Sequence, residues 1–204
     1  MAAPGTSTSV LVPVKAFHQA KVRLSPALDG PARAALARLM ADAVLLAAAP
    51  LPVAVVCDDE PVAAWARGAG AEVVWCPGRG LNAAVEDGVA HLLASGAERV
   101  VVAHADLPLA GRLGEVADFD GITLVPDRHD DGTNVICLPA AVGADFRFAY
   151  GPGSFLRHQE HAEASGLPVR VLHDDRLAWD VDVPGDLEQP EVRSLVATAQ
   201  ANGS

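Results

Sequence analysis

Lysine is almost missing from this 204-residue sequence: only Lys15 and Lys21 occur. Lysine and arginine together number 15 against 26 aspartates and glutamates, a formal charge of −11. An acidic surface repels phosphate backbones, so a nucleic-acid partner is not expected. No stretch approaches the roughly 20 apolar residues that span a bilayer. Residues 1–9 carry neither a basic residue nor an apolar core, which reads as a loose tail and not as a signal peptide. The three cysteines, Cys57, Cys76 and Cys137, are odd in number and lack CxxC spacing. That suggests reduced, buried thiols in a cytoplasmic protein and disfavours a zinc site. The phosphate-loop pattern GxxxxGKS/T is absent, and Gly78-Arg79-Gly80 does not continue to GxGxxG, so the dinucleotide fingerprint fails too.

Half of the residues are hydrophobic, enough for one domain, expected over residues 10–200, with a substantial core. Short β-branched runs alternate with helix-periodic segments. Strands are expected at Val10–Val14, Val53–Cys57, Ala71–Trp75 and Val100–Ala103. Helices are expected from Gly30 to the prolines at 50 and 52, over Pro61–Ala69, and over Leu81–Ser95. The first helix should bury Leu36, Leu39, Met40, Ala43, Val44 and Ala47. This alternation argues for an α/β fold with three layers, a mostly parallel sheet with helices on both faces. Beyond Asp106 the pattern changes. A helix is admissible over Leu109–Val116. Ile122–Val125 and Val135–Leu138 form a hairpin-like antiparallel piece that makes the sheet mixed. A helix runs from Ser154 to about Ser165, followed by a strand at Val169–Leu172. Leu177–Val183 alternates like a strand, and a last helix covers about Leu187–Ala199.

Val100–Ala103 reads as a strand buried on both faces, and Pro108 forbids its continuation. Asp106 therefore falls just past the carboxyl end of a central strand, where open α/β sheets bind ligands. It could equally cap the helix at 109. Asp180 and Asp182 stand two apart in an extended segment and should share a side, opposite Trp179, Val181 and Val183. A solvated edge with Asp182 capping the next helix is the plainer reading of that pair. A Mg²⁺ ion asks for hard oxygen ligands, which Asp106 with the 180–182 pair would supply if their strand ends are neighbours. Lys15, Lys21 and Arg23 form a basic loop after the first strand, suited to clamping phosphate. Gly151-Pro152-Gly153-Ser154 opens a helix, offering free N–H groups and a hydroxyl to an anion, or an ordinary serine cap. Gly132-Thr133-Asn134 adds a hydroxyl in a turn. His104, His158 and His161 rank below the carboxylates as acids or bases.

In order, the segments Val12-Pro13-Val14-Lys15, KVRL at 21–24, Gly80-Leu81-Asn82-Ala83-Ala84, Ala105-Asp106-Leu107-Pro108, Pro126-Asp127-Arg128, Asp131-Gly132-Thr133-Asn134, Tyr150–Phe155 and Asp180–Asp186 resemble the guanylyltransferase family of coenzyme F420 biosynthesis. The resemblance covers roughly Val10 to Leu187. It implies the nucleotide-diphospho-sugar transferase (GT-A-like) fold, with the usual glycine-rich first loop replaced by one containing lysine. It implies transfer of GMP from GTP to the phosphate of a phosphorylated three-carbon acid, with release of pyrophosphate. Phosphoenolpyruvate is the expected acceptor and 2-phospho-L-lactate the alternative. A different nucleotidyl- or glycosyl-transferase of this fold, or a non-catalytic nucleotide-binding protein, are the competing readings. Carried over by position, Asp106, Asp180 and Asp182 would hold Mg²⁺, and Lys15, Thr133, Gly151 and Ser154 the acceptor. Lys21 and Arg23 would face the GTP phosphates, and Gly80, Leu81 and Asn82 the guanosine. The resemblance leaves a monomer or a small homo-oligomer open.

Overall fold

β-branched side chains pack well on a pleated surface that is covered on both faces, and the valine-rich runs of this chain are used that way. The computed structural model describes the backbone of residues 7–203 and the side chains of 7–201. Seven strands, β1 (Thr8–Pro13), β2 (Val53–Cys57), β3 (Glu72–Trp75), β4 (Arg99–Ala103), β5 (Ile122–Pro126), β6 (Thr133–Pro139) and β7 (Val169–Val171), form one sheet in the order β3-β2-β1-β4-β6-β5-β7. Only β6 runs against its neighbours, antiparallel to β4 and to β5. The mixed, mostly parallel α/β sheet and the antiparallel piece after Asp106 are as the sequence implied.

Helices α1 (Gly30–Ala48) and α2 (Glu60–Gly68) cover one face, while α3 (Gly80–Ala94), the short α4 (Ala140–Gly143) and α5 (Ser154–Ala164) cover the other. Strand alternation divides the core accordingly. Val10, Val12, Val101 and Ala103 pack toward α1 and α2, whereas Leu11, Val100 and Val102 pack toward α3. Asp29 caps α1 by accepting from Ala32 N–H at 2.9 Å, and Pro31 sits in its first turn, where its missing N–H costs nothing. The last helix, α6 (Pro190–Gly203), lies on the outside of α1. That extra layer widens the buried arc of α1. Ala41, Val44 and Ala48 meet the sheet, while Ala32, Leu36 and Met40 meet α6; Leu39, Ala43 and Ala47 are only half-buried. Each fully buried Leu36, Met40 or Val44 contributes ~1.5–3 kcal/mol by removal from water.

Three expectations are corrected. The strand expected from Val10 starts at Thr8, and the Ser7 carbonyl accepts from Glu98 N–H at 2.8 Å; the rest of the expected tail, residues 1–6, lies outside the described residues. No α-helix covers 109–116. Pro108 and Gly111 interrupt the segment, and only a 3-10 turn at Leu113–Ala117 forms. Leu177–Val183 is not a strand. It is extended, but single hydrogen bonds hold it in place of a ladder: Arg128 N–H to Ala178 O at 3.0 Å, Asn134 Nδ2–H to Leu177 O at 3.0 Å, and Val181 N–H to Asp106 O at 3.3 Å. No described helix is long and apolar enough to cross a membrane.

Candidate active site

Because β6 is antiparallel, its first residue, Thr133, lies at the same sheet end as the last residues of β1 and β4. Loops that leave those strands enclose a cavity of about 670 Å³, within the range of small-ligand sites. Lys15, Lys21, Arg23, Leu81, Asp106, Thr133, Gly151, Ser154, Asp180 and Asp182 all line it. Gly80 and Asn82 are not among its lining residues. Asn82 instead turns its Oδ1 to accept from Tyr150 N–H at 2.8 Å, tying α3 to the loop before α5.

The three distant aspartates do converge, and Lys21 is the cation among them. Its ammonium lies 2.5 Å from Asp106 Oδ2 and 3.5 Å from Asp182 Oδ1, with the lysine side chain only 10% exposed. Arg23 reaches Asp182 Oδ2 at 2.7 Å. Lys21 adopts left-handed backbone with φ 55° between two 3-10 turns, a conformation rare outside glycine that tends to gather at functional sites. Burial pulls the Lys21 ammonium toward neutrality, but Asp106 in charge and hydrogen bond, then Asp182 and Asp180, outweigh it and hold its pKa above the usual value. Burial likewise opposes ionisation of Asp106, yet Lys21 and His104 keep that carboxyl below the ordinary range. Asp180 is pushed upward, by burial first and by the Asp106 charge second, with Arg128 and Lys21 pulling the other way. His104 is half-buried, and its pKa is held below the usual value by desolvation, with Asp106 opposing that effect and Lys21 reinforcing it.

Two residues given no role in the sequence reading support the acidic pair. Arg128 donates to Asp180 O at 2.9 Å, pairs with Asp186, and stacks its guanidinium 4.5 Å over Trp179. Asp186, 4% exposed, accepts from Asp182 N–H at 2.7 Å and Val183 N–H at 2.8 Å. Asp186 therefore does the capping expected of Asp182, whose carboxylate is left to Lys21 and Arg23. Of the residues expected to pack away from the cavity, Val181 is buried but Val183 is exposed. Asp106 is no helix cap, since no helix follows it.

The helix start at 151–154 is less open than its sequence suggests. Asp131 Oδ1 takes the Gly153 N–H at 3.1 Å, Asp131 O takes that of Phe155 at 3.0 Å, and Gly151 O takes that of Ser154 at 3.0 Å. Free N–H groups are thus replaced by the Ser154 hydroxyl, which has no protein partner among the described residues. Asp127 in turn accepts from the N–H groups of His129, Asp131 and Gly132. A Cβ on Gly132 would stand 2.7 Å from Asp127 Oδ2, so a side chain here would push that carboxylate off the N–H groups it holds. Lys15 is exposed and has no carboxylate partner among the described residues, which leaves its charge for a ligand.

The cavity wall carries five carboxylates, those of Asp106, Asp127, Asp131, Asp180 and Asp182, against three fixed cations. Asp106 Oδ1 is buried without a hydrogen-bond partner. Unpaired buried carboxylate oxygens are costly, and oxygen donors of this kind suit a hard divalent cation. Among the described residues, no three such side chains already stand close enough to share one ion; Lys21 fills the space between Asp106 and Asp182. The donor set fits Mg²⁺ in chemistry, with Lys21 as its rival.

The chain matches the family model "Guanylyl transferase CofC like" over residues 8–192. It is 37% identical over 198 residues to the phosphoenolpyruvate guanylyltransferase of Sphaerobacter thermophilus, covering 90% of this chain and 92% of that protein. To the enzyme of the same name from Rubrobacter xylanophilus it is 38% identical over 196 residues, covering 91% and 94%. Among solved structures it is similar to a nucleotidyl transferase from Methanothermobacter (TM-score 0.62, 17% identity, 95% and 100% covered). It is also similar to the 4-diphosphocytidyl-2C-methyl-D-erythritol synthase of Anaerococcus prevotii (TM-score 0.60, 12% identity, 96% and 99% covered). A third similar structure, from Desulfovibrio desulfuricans (TM-score 0.72, 16% identity, 97% of each chain covered), is described as of the nucleotide-diphospho-sugar transferase type, and the three likenesses show that fold.

Proposed function

The chain belongs to the CofC-like guanylyl transferase family, and from that premise we propose that it transfers GMP from GTP to the phosphate of phosphoenolpyruvate. A phosphate oxygen of the acceptor attacks the α-phosphorus of GTP. The new P–O bond forms as the bond to the bridging β-phosphate oxygen breaks, and its electron pair leaves with pyrophosphate. An ionised phosphate is already a nucleophile, so the reaction needs no general base. It needs two polyanions brought together in line.

The residues divide that work. Lys15, Thr133 and Ser154, with the Gly151 backbone, hold the acceptor's phosphate and carboxylate. Lys21 and Arg23 meet the triphosphate as charge builds on the departing pyrophosphate. Placing such charge in advance is commonly a large catalytic contribution. Leu81 packs beside the nucleoside, and Asn82 fixes the loop that carries Gly151. With five carboxylates on the wall, the fixed cations do not neutralise the incoming phosphates. Mg²⁺ held by Asp106, Asp180 and Asp182 would supply that neutralisation. Lys21, displaced from Asp106, would then be free to meet phosphate. The free cysteines, two of them buried, suit a cytoplasmic setting where GTP is abundant.

The single observation that carries this reading is the gathering of Asp106, Asp180, Asp182 and Lys21 in the cavity that Thr133 and Ser154 also line. Pyrophosphate release, followed by product mass spectrometry, tests it with GTP, CTP or UTP as donor and phosphoenolpyruvate or 2-phospho-L-lactate as acceptor. Release only with GTP and phosphoenolpyruvate, with the mass of the GMP adduct, is expected. Turnover of a UDP-sugar in place of GTP would overturn it.

A further inference from the structure

The second of the three buried residues of α5 is not a ligand-facing group but a histidine, His158, one turn beyond Ser154 and fully buried. Phe146, Phe148 and Tyr150 surround its ring, the last with centroids 4.9 Å apart. Its two nitrogens have different partners. Nε2 lies 2.8 Å from Ala149 N, and Nδ1 lies 3.0 Å from Thr133 Oγ1. A backbone N–H can only donate, so Nε2 must accept and carries no proton. A neutral imidazole then has its proton on Nδ1, and that N–H donates to the threonine hydroxyl. A hydroxyl has one hydrogen and two lone pairs. With a lone pair engaged by His158 and no other protein partner among the described residues, the Thr133 hydrogen is free to be donated to an anionic oxygen in the cavity.

We infer that His158 is a positioning residue: it fixes Thr133 as a hydrogen-bond donor toward an anionic oxygen of the acceptor substrate, without touching that substrate. The inference rests on the proposed reading only in naming the acceptor. Its elements are set by the fold. Thr133 begins β6, at the register shift opposite Val125 and Pro126, and such irregularities at a sheet rim re-aim side chains. Ser154 and His158, four residues apart on one helix face, put a second hydroxyl and the orienting ring on the same side of the cavity. A donor held in place before binding loses less freedom when the ligand arrives, which favours acceptor affinity over turnover.

Two substitutions separate the ring's two bonds. In His158→Asn the amide nitrogen can take the place of Nδ1–H and still donate to Thr133. In His158→Gln the amide oxygen can take the place of Nε2 and accept from Ala149, but the donor to Thr133 is lost. Expected for His158→Gln is a KM for phosphoenolpyruvate raised about tenfold, the size of one hydrogen bond to a charged group. Its kcat and its KM for GTP stay within about twofold. His158→Asn lies closer to wild type in KM, and adding His158→Gln to Thr133→Val changes nothing further. Equal losses in all parameters, or additive losses in the double variant, would overturn the inference. Nitrogen NMR of isotope-labelled histidine in the unliganded wild-type protein reads the ring directly at neutral pH. An Nδ1-protonated neutral ring supports the inference, and an Nε2-protonated or charged ring overturns it. If the wild type makes no adduct with phosphoenolpyruvate, the functional reading fails by itself, and the NMR result still decides the arrangement of His158 and Thr133.

Discussion

Replacing Asp106 by Asn keeps the side chain's shape and removes its charge. The Lys21 ammonium then loses its partner at 2.5 Å and retains Asp182 at 3.5 Å. Removing one member of a buried ion pair costs ~3–5 kcal/mol, chiefly because the other charge is stranded. Lys21 is 10% exposed, so that range applies, and the remaining carboxylate places the cost near its lower edge. At about 2–4 °C per kcal/mol for a chain of this length, Tm should fall by roughly 6–12 °C. Turnover should fall on the order of a hundredfold or more, as for loss of one key electrostatic group. Lys21→Met alone strands Asp106 and destabilises similarly. The double variant Asp106→Asn/Lys21→Met removes both charges, so it should recover most of the stability lost in either single and none of the turnover. Thermal unfolding of the four proteins and their pyrophosphate-release rates give the complete cycle. A double variant whose loss equals the sum of the singles, or full turnover in Asp106→Asn, would refute the reasoning.

Gly88→Ala would place a Cβ 2.7 Å from Leu11 Cδ2, where α3 lies against β1; overpacking of this kind costs ~1–3 kcal/mol, read as a lower urea midpoint at unchanged slope. Burial first, then the charges of His161, His104 and Arg157, lowers His158 to about 4 from 6.5. As pH falls, the unfolded chain therefore takes up that proton before the folded one. Stability due to His158 is intact above its unfolded value and drains between pH 6.5 and about 4, by ~3 kcal/mol in full. Urea unfolding at a series of pH values should show this slope in wild type and not in His158→Asn; parallel curves would contradict it. Lys15→Met removes an exposed, unpaired charge, so Tm should stay within about a degree while the KM for phosphoenolpyruvate rises about tenfold or more, the size of a hydrogen bond to a charged group. An unchanged KM would take Lys15 out of the site.

Strand and helix positions were readable because short continuous valine-rich runs and period-3.6 apolar stripes are local signals. Asp106 was findable from one feature, a carboxylate just after a buried strand that proline stops. What the local pattern misled about was 177–183, whose alternation mimics a strand. That segment is held by bonds to Asp106, Arg128 and Asn134 from far along the chain, and no window of a dozen residues contains them. The same blindness hid Asp186, which looks like an ordinary first-turn acid yet caps the segment bearing Asp182. It also made the N–H groups before α5 look free, because the occupant, Asp131, lies more than twenty residues upstream. His158 carries no sequence signal for its task. Its part emerges only when Ala149 and Thr133 are seen on opposite sides of one ring. The layer added by α6 shifted the buried stripe of α1 for the same reason, since a helix read alone shows a single apolar face.

The central claim is that the acidic cluster presides over displacement at the α-phosphorus of GTP. The most direct measurement follows GTP labelled separately at its α- and γ-phosphates, incubated with phosphoenolpyruvate, Mg²⁺ and either wild type or Asp106→Asn. The α-label is expected in the GMP adduct of phosphoenolpyruvate and the γ-label in pyrophosphate, with both transfers nearly lost in Asp106→Asn. Appearance of the γ-label on the acceptor or in free phosphate, or the same label distribution and rate in Asp106→Asn, would contradict it.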